Sequence, residues 1–489
     1  MLLLVAMGLG IGEAKAETVN NVKYIDADGQ TKYKDNVTVL TGNETVLGST
    51  TTGGECWYVT SSQTATFNST ITLYTGVHII LADGTTMTVP LGFQGTADSG
   101  DIINIYSQGG TDEGKLIINA NTTTGSALMI AGGYITINGG IINITAVNDG
   151  IRGGSRITFN GGKTEINSSG GNGINSEGNV IVNGGQLTVT STSTSDSKAG
   201  IYSSITLGWT NPTDYIKWSS YIGKVNTAAG KSFAVYDGND FLCVIGAASG
   251  NTSFILFDSK GSLSNKKLCP FDGRLVTVGS GKTYYACNLS SNYKPIGNAN
   301  VYLVTDITYN QSSKQFEAVL SDAQPGVVSG VPVIFGVTSG NLPESIALEN
   351  DATVSLSATP SKNFIACDGA KKVSELLPSG VNFADVYFFG LSGNSFKRVL
   401  LGSDDVHPAG TCFLFISKDD FNNPPSSAPA GVRGIGIETD GTTSLIGNGQ
   451  LTTDHAASAQ WYSLDGRRLD KAPKTKGVYI RNGKKLVIK

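Results

Sequence analysis

The chain has 489 residues, a net charge of -4, only 15% charged residues and 63 glycines. That length exceeds one ordinary core, so two or three domains are expected. The lack of a basic excess removes the electrostatic case for nucleic acid as a partner. Low charge with many Gly, Asn and Thr residues favours short strands joined by tight turns over long amphipathic helices.

Residues 1–16, MLLLVAMGLGIGEAKA, read as an export signal: an apolar run from Leu2 to Ile11 precedes Ala14-Lys15-Ala16, a small-x-small cleavage pattern. No later stretch approaches the roughly 18 consecutive apolar residues of a membrane helix. A secreted or outer-surface protein, without a transmembrane segment in its mature chain, is therefore expected. Val22–Leu40, with its Asp28-Gly29 hairpin turn, is expected to begin a cap over an open sheet edge. The run Asp26-Ala27-Asp28-Gly29 lacks the later acidic ligand of a calcium loop and reads as that turn.

Self-similarity at a fixed period marks 115–206. Asn138-Gly139-Gly140 recurs as Asn160-Gly161-Gly162 and Asn183-Gly184-Gly185, at intervals of 22 and 23. A second corner, Asp149-Gly150-Ile151, recurs as Asn172-Gly173-Ile174 and Ala199-Gly200-Ile201. Between the corners lie two alternating strands per repeat, such as Arg156–Phe159 and Lys163–Ser168. This is the pattern of a β-solenoid, in which each coil buries its inner face only by stacking on the next, about 4.8 Å away. Alternation sends Thr164, Ile166 and Ser168 inward and Lys163, Glu165 and Asn167 outward. The corner Asn residues, which tolerate a left-handed backbone, are expected to bond to one another along the stack. Upstream, Ile71–Leu73, Val77–Leu81, Met87–Val89, Ile102–Tyr106 and Lys115–Ala120 read as less regular coils. After Ile205 the repeat fades, and 207–250, with Trp209 and Trp218, read as the end of the solenoid and its cover.

The fold class expected is all-β. A right-handed parallel β-helix with its cap (17–250) is followed by a β-sandwich region (251–422), a linker (423–455) and a small C-terminal β-module (456–489). In the sandwich region the strand-like runs are Ser253–Phe257, Ala299–Val304, Val333–Val337, Thr353–Ala358, Val386–Gly390 and Thr411–Ile416. The linker is read from composition, Asn422-Asn423-Pro424-Pro425-Ser426-Ser427.

Few residues are placed for catalysis. Gly279-Ser280-Gly281-Lys282-Thr283 ends like a phosphate loop, but the required first glycine falls on Val276. His78, His407 and His455 occur in unrelated contexts, and the six cysteines form no C-x-x-C pair. Cys269 with Cys287 is a conceivable disulfide, and buried inert thiols are an equal alternative. Two constellations on the solenoid remain. Asp149 and Asn172 stack at equivalent corners, with Asn148 beside them, and could offer oxygens to calcium. An Asx-turn is the plainer role for Asp149. The outward columns Asn143, Glu165, Thr188 and Thr145, Asn167, Thr190 form a flat polar ladder suited to the hydroxyls of an extended polysaccharide. Solvated surface is again the plainer reading. Tyr134, Tyr202 and Trp209 are the nearest aromatic stacking platforms.

Ile135–Gly140, Ile142–Ala146 and Asn148-Asp149-Gly150-Ile151-Arg152-Gly153 together resemble a family of secreted bacterial carbohydrate-binding β-helix proteins. That resemblance implies a fold related to polysaccharide lyases and an association with calcium and plant-type polysaccharides, with Asp149 as a ligand candidate. The following corners carry Asn172 and Ala199 where the family favours aspartate. Trp461–Leu469, Gly477–Ile480 and Lys484–Lys489 resemble the C-terminal sorting signal of type IX secretion, which implies secretion machinery as a partner. Nine Lys or Arg residues face two Asp between Trp461 and Lys489. The function expected is non-catalytic polysaccharide binding. A β-helix lyase, which needs a base and cations near the sugar C5 proton, is the first alternative, with Arg152, Arg156 and Lys163 as its nearest basic residues. A structural adhesin or stalk is the second.

Overall fold

The computed structural model describes residues 16–95, 102–249, 253–255, 266–424, 434–438, 461–463, 468–469, 477–481 and 484–488, less 52, 62–63, 122–124, 194, 196–197, 210 and 220–221. Residues 1–15 of the expected export segment lie outside the described residues. No described helix is long and apolar enough to cross a membrane.

The period of about 22 does produce a β-solenoid, but each coil carries three strands rather than two. One coil runs Leu128–Ile130, Tyr134–Ile137 and Ile141–Ala146; the next runs Ile151–Gly153, Arg156–Phe159 and Lys163–Ser168; the next Ile174–Ser176, Asn179–Val182 and Gln186–Ser191. We call the resulting sheets the short-strand, middle and long-strand faces; they contain 7, 11 and 10 strands. The stretch read as an Asp-Gly-Ile corner is in fact the approach to the short strand. Three residues are too few for alternation to announce themselves as a strand.

Parallel in-register pairing stacks like on like. Ile135, Ile157, Val180, Ile205 and Val225 form one fully buried column inside the middle face. Ile144, Ile166, Val189 and Trp218 form another inside the long-strand face. Each such side chain contributes about 1.5–3 kcal/mol by leaving water. The pairing outlasts the recognisable repeat: Ile205–Leu207, Tyr215–Trp218 and Lys224–Thr227 still pair in parallel with the coils before them. Trp209 and Trp218, both buried, close the core at that end.

The Asn corners form the expected ladder. Asn160 Nδ2 donates to Asn138 Oδ1 at 2.7 Å, and Asn183 Nδ2 donates to Asn160 Oδ1 at 2.9 Å. The left-handed backbone falls not on these Asn residues but on Gly140, Gly162 and Gly185, with φ of 90°, 77° and 87°. Only glycine suits this position, since a Cβ on Gly162 would also stand 2.5 Å from the Gly140 carbonyl oxygen.

Both ends of the middle face, and the far end of the long-strand face, leave the parallel pattern, so the regular stack is not continued outward. At the start, Thr18–Val19 pairs antiparallel with Val37–Leu40, and Val22–Ile25 forms a hairpin with Thr31–Lys34 through Gly29 at φ 76°. Asp26 Oδ1 accepts the Asp28 and Gln30 N–H groups in that turn. At the far end, Lys266–Pro270 pairs antiparallel with both Tyr215–Trp218 and Ser232–Asp237.

Beyond it, two three-stranded sheets and one of seven strands form further β-modules. Val333–Gly336 is buried along its whole length because its sheet is covered on both faces. Val333 and Phe335 pack toward one neighbouring sheet with Ile346 and Leu348. Ile334 packs toward the other with Phe316 and Leu414. Two expectations fail here. Thr353–Ala358 is not a strand: Asp351 accepts the Thr353 N–H and hydroxyl, and Gln324 Oε1 accepts the Ser357 N–H. The expected linker, 423–455, contains the strand Gly434–Glu438, which pairs with Gln315–Leu320 and Ser395–Val399 and buries Ile435 and Ile437. Gly279 and Gly281 are turn residues at φ 84° and 75°. All six cysteines are free thiols, so Cys269 and Cys287 are not bridged; they belong to strands of different sheets. Burial pushes the Cys287 thiol up to about 12. The four C-terminal strands form one sheet, ordered Arg468–Leu469, Trp461–Ser463, Gly477–Arg481, Lys484–Ile488.

The N-terminal hairpin is fastened by an aromatic cluster. Trp57 stacks on His78 at 4.2 Å, Tyr106 lies parallel beside both, and Tyr24 meets Trp57 and Tyr106 from the hairpin. Lys34 lies over Trp57, and Glu55 accepts its indole N–H. Burial lowers the His78 pKa, opposed by Glu55 and assisted by Lys34. A lowered histidine pKa means the folded state favours the neutral ring. Stability is thus complete above the unfolded value of about 6.5 and is lost as pH falls through it toward the folded value. The fall in Tm between pH 7.5 and pH 5 is expected to be smaller in His78→Phe than in the parent; equal falls would remove His78 from the account.

Candidate functional site

The Asp149 corner is a hydrogen-bond ladder. Asp149 Oδ1 accepts the Asn172 backbone N–H at 2.8 Å and its side-chain amide at 3.1 Å, while Oδ2 accepts from Asn175 Nδ2 at 2.9 Å. One coil on, Asn172 Oδ1 accepts the Ala199 N–H at 2.8 Å. Each corner side chain thus captures the backbone N–H of the equivalent residue in the next coil, and Ala199 ends the series. Asp149 and Asn172 are 4% and 2% exposed, so water could not replace these bonds. The Asn148 carbonyl accepts the Ser168 hydroxyl at 2.6 Å. A calcium ion asks for several free oxygens. Here the side-chain oxygens of Asp149 and Asn172 already face N–H donors, so the corner as built does not fit that ion.

The polar columns are in register on the long-strand face: Asn143 beside Glu165 beside Thr188, and Thr145 beside Asn167 beside Thr190. Asn143, Thr145 and Glu165 are exposed; Thr188, Asn167 and Thr190 are half-buried. Asn167 Nδ2 donates to Glu165 Oε1 at 3.3 Å, so part of this ladder bonds within itself.

A concave site lies elsewhere, along the edge where the short-strand face meets the middle face. This shallow groove, open to solvent and about 690 Å³ in volume, is lined by Tyr134, Arg156, Glu177, Asn179, Tyr202 and Lys224, among others. Its floor is thin because the corner is built from glycine. A Cβ on Gly178 would stand 1.6 Å from the Ser155 carbonyl oxygen, and one on Gly223 would stand 1.8 Å from that of Ser203. Ser155 Oγ donates to the Gly132 carbonyl at 2.9 Å, and Ser203 Oγ to that of Gly178, tying successive coils together beneath the groove. Tyr134 and Tyr202 rise from the outward positions of their strands and are 37% and 49% exposed. The Arg156 guanidinium carbon lies 5.1 Å from the Tyr134 ring centroid. That contact fixes the ring and holds the cation over it. Trp209, the third aromatic candidate, is buried against Phe233 in the core and cannot serve as a platform.

Sequence reasoning named the two tyrosines but not the groove, and it missed Glu177, Asn179 and Lys224. The available signal was faint: short polar turns, Gly154-Ser155, Glu177-Gly178 and Ser203-Ser204, stand just before Arg156–Phe159, Asn179–Val182 and Ile205–Leu207 and mark a third corner per coil. Two exposed tyrosine rings set among mostly polar side chains supply stacking faces beside hydrogen-bonding groups, the pairing that an amphipathic ring such as a sugar can use.

A family model described as "Carbohydrate-binding domain-containing protein" matches residues 57–216. The match takes in both tyrosines, Arg156, Glu177 and Asn179. No curated protein and no solved structure matches the chain.

Asp149→Ala would leave the buried Asn172 donors without their acceptor, at a cost of about 1–3 kcal/mol. A clear drop in Tm is expected, smaller for Asp149→Asn, which keeps an acceptor oxygen. A chelator is expected to leave the parent Tm unchanged; a chelator-induced drop matching that of Asp149→Ala would restore calcium to this corner.

Proposed function

We propose that this is an exported, outer-surface protein that binds a polysaccharide through its β-solenoid without cleaving it. The observation that carries the reading is the Tyr134–Tyr202 groove within a solenoid matched by a carbohydrate-binding family. Sugar rings present flat apolar faces edged by hydroxyls. Exposed tyrosines beside Arg, Glu and Asn side chains offer a stacking face and a set of donors and acceptors for that shape.

The non-catalytic part of the reading is supported by the lining. It offers one carboxylate, Glu177, where glycoside hydrolysis ordinarily uses a pair. In this proposal the coil is right-handed, the sense that parallel crossovers nearly always take. The basic C-terminal sheet serves as the sorting module that engages secretion machinery. The polar columns of Asn143, Glu165 and Thr188 and of Thr145, Asn167 and Thr190 remain a second contact surface for a long polymer.

The test is a panel of immobilised pectins, celluloses, xylans and host glycans, each with and without a chelator, assayed for bound protein and for unsaturated or reducing-end products. Binding without product is expected, weakened about tenfold or more by Tyr202→Ala at unchanged Tm. Product formation would establish a lyase or hydrolase instead. Binding that ignores Tyr202→Ala but falls with Glu165→Ala would move the site to the long-strand face. No binding to any glycan would leave the stalk reading.

A further inference from the structure

The groove is periodic as well as concave. One corner in five successive coils contributes to it, from Tyr134 through Arg156, Glu177 and Tyr202 to Lys224. Its walls follow the sheets: Tyr134 beside Arg156 beside Asn179 in register on the middle face, and Ser176 and Tyr202 at the ends of successive short strands. Hydrogen bonding between parallel strands fixes the rise at about 4.8 Å per coil. The groove therefore extends roughly 19 Å along the solenoid axis, with Tyr134 and Tyr202 roughly 14 Å apart in that direction. In an extended 1,4-linked chain, one pyranose unit is nearly as long as one coil is thick.

We infer that the groove takes a linear glycan lying parallel to the solenoid axis, about one sugar unit per coil, with Tyr134 and Tyr202 as platforms for units about three apart. The inference rests on the carbohydrate-binding reading and adds the direction, repeat and minimum length of the ligand. A chain crossing the groove would meet one tyrosine and the groups of one or two coils. A chain along it meets both tyrosines, with Arg156, Glu177 and Asn179 at the intervening coils. Arg156 acts as a positioning residue at one end, because its guanidinium holds the Tyr134 ring. The glycines under the groove keep the track level: a side chain at Gly178 would displace the backbone of the coil below.

The experiment is calorimetric titration of the purified full-length protein with cello-, xylo- and galacturono-oligosaccharides, each from dimer to hexamer. For the series that binds, affinity is expected to rise about tenfold or more from dimer to tetramer and then level off. Tyr134→Ala should abolish that rise while changing dimer affinity by less than about twofold; Tyr134→Phe, which keeps the ring, should retain the rise. Arg156→Ala should reduce the rise without removing dimer binding. Both tyrosines are surface residues, and an unchanged Tm for each variant separates lost contacts from lost fold. Equal affinity for dimer and hexamer, still sensitive to Tyr202→Ala, would overturn the axial track and leave the carbohydrate reading standing. Failure of every oligosaccharide, with no polysaccharide bound in the panel, would overturn both.

Discussion

Everything in the N-terminal half depends on successive coils pairing in parallel and in register on three faces. No coil can bury its interior alone, and no coil can shift by one residue without turning its apolar set outward. The column Ile135, Ile157, Val180, Ile205, Val225 shows what this enforces: one interior position, filled by an aliphatic residue at each level. The corners obey the same rule with polar atoms. Asn138, Asn160 and Asn183 bond side chain to side chain, while Asp149 and Asn172 each capture the backbone N–H of the level above. A carboxylate and an amide are interchangeable there because the acceptor oxygen is what the site uses. The change from Asp149 to Asn172 to Ala199 follows that ladder to its end, since Ala199 has no side-chain acceptor to offer the next level.

Stacking also explains which parts of the molecule could be read from sequence. The Asn-Gly-Gly corners and six-residue strands were legible because each imposes a strong local requirement, a positive φ or a clean alternation. The inward set Thr164, Ile166, Ser168 is buried as that alternation required. The short-strand face was not legible. Ile151–Gly153 is three residues long, contains no full alternation, and follows a glycine that looks like a turn. The groove beside it was hidden for the same reason: the sequence offered Tyr134, Tyr202 and Trp209 as nearby aromatics without fixing which way each faces, and only the two tyrosines are exposed.

The far half was harder to read because its order is non-local. Gly434–Glu438 lies between strands more than thirty residues away in sequence and follows a proline-rich stretch. Composition registers the stretch but not the strand beyond it. Thr353–Ala358 has the β-branched and alternating composition of a strand, yet its backbone bonds to the side chains of Asp351 and Gln324. Side-chain acceptors there replaced a ladder partner that topology did not supply.

The solenoid separates residues that hold the fold from residues free to act. Asp149 and Asn172 are buried and bonded to the neighbouring coil, so a ligand at that corner would compete with the stacking itself. Outward positions carry no such obligation, and there identity can vary without moving the backbone. Tyr134 shares a register position with Arg156 and Asn179, three unrelated side chains on one unchanged ladder. A fold whose interior demands sameness at every level and whose exterior does not can present a varied row of groups at a fixed spacing. An extended polymer with a repeat near that spacing is the kind of ligand such a row can read, and aromatic platforms at two of its levels supply faces on which such a polymer could rest.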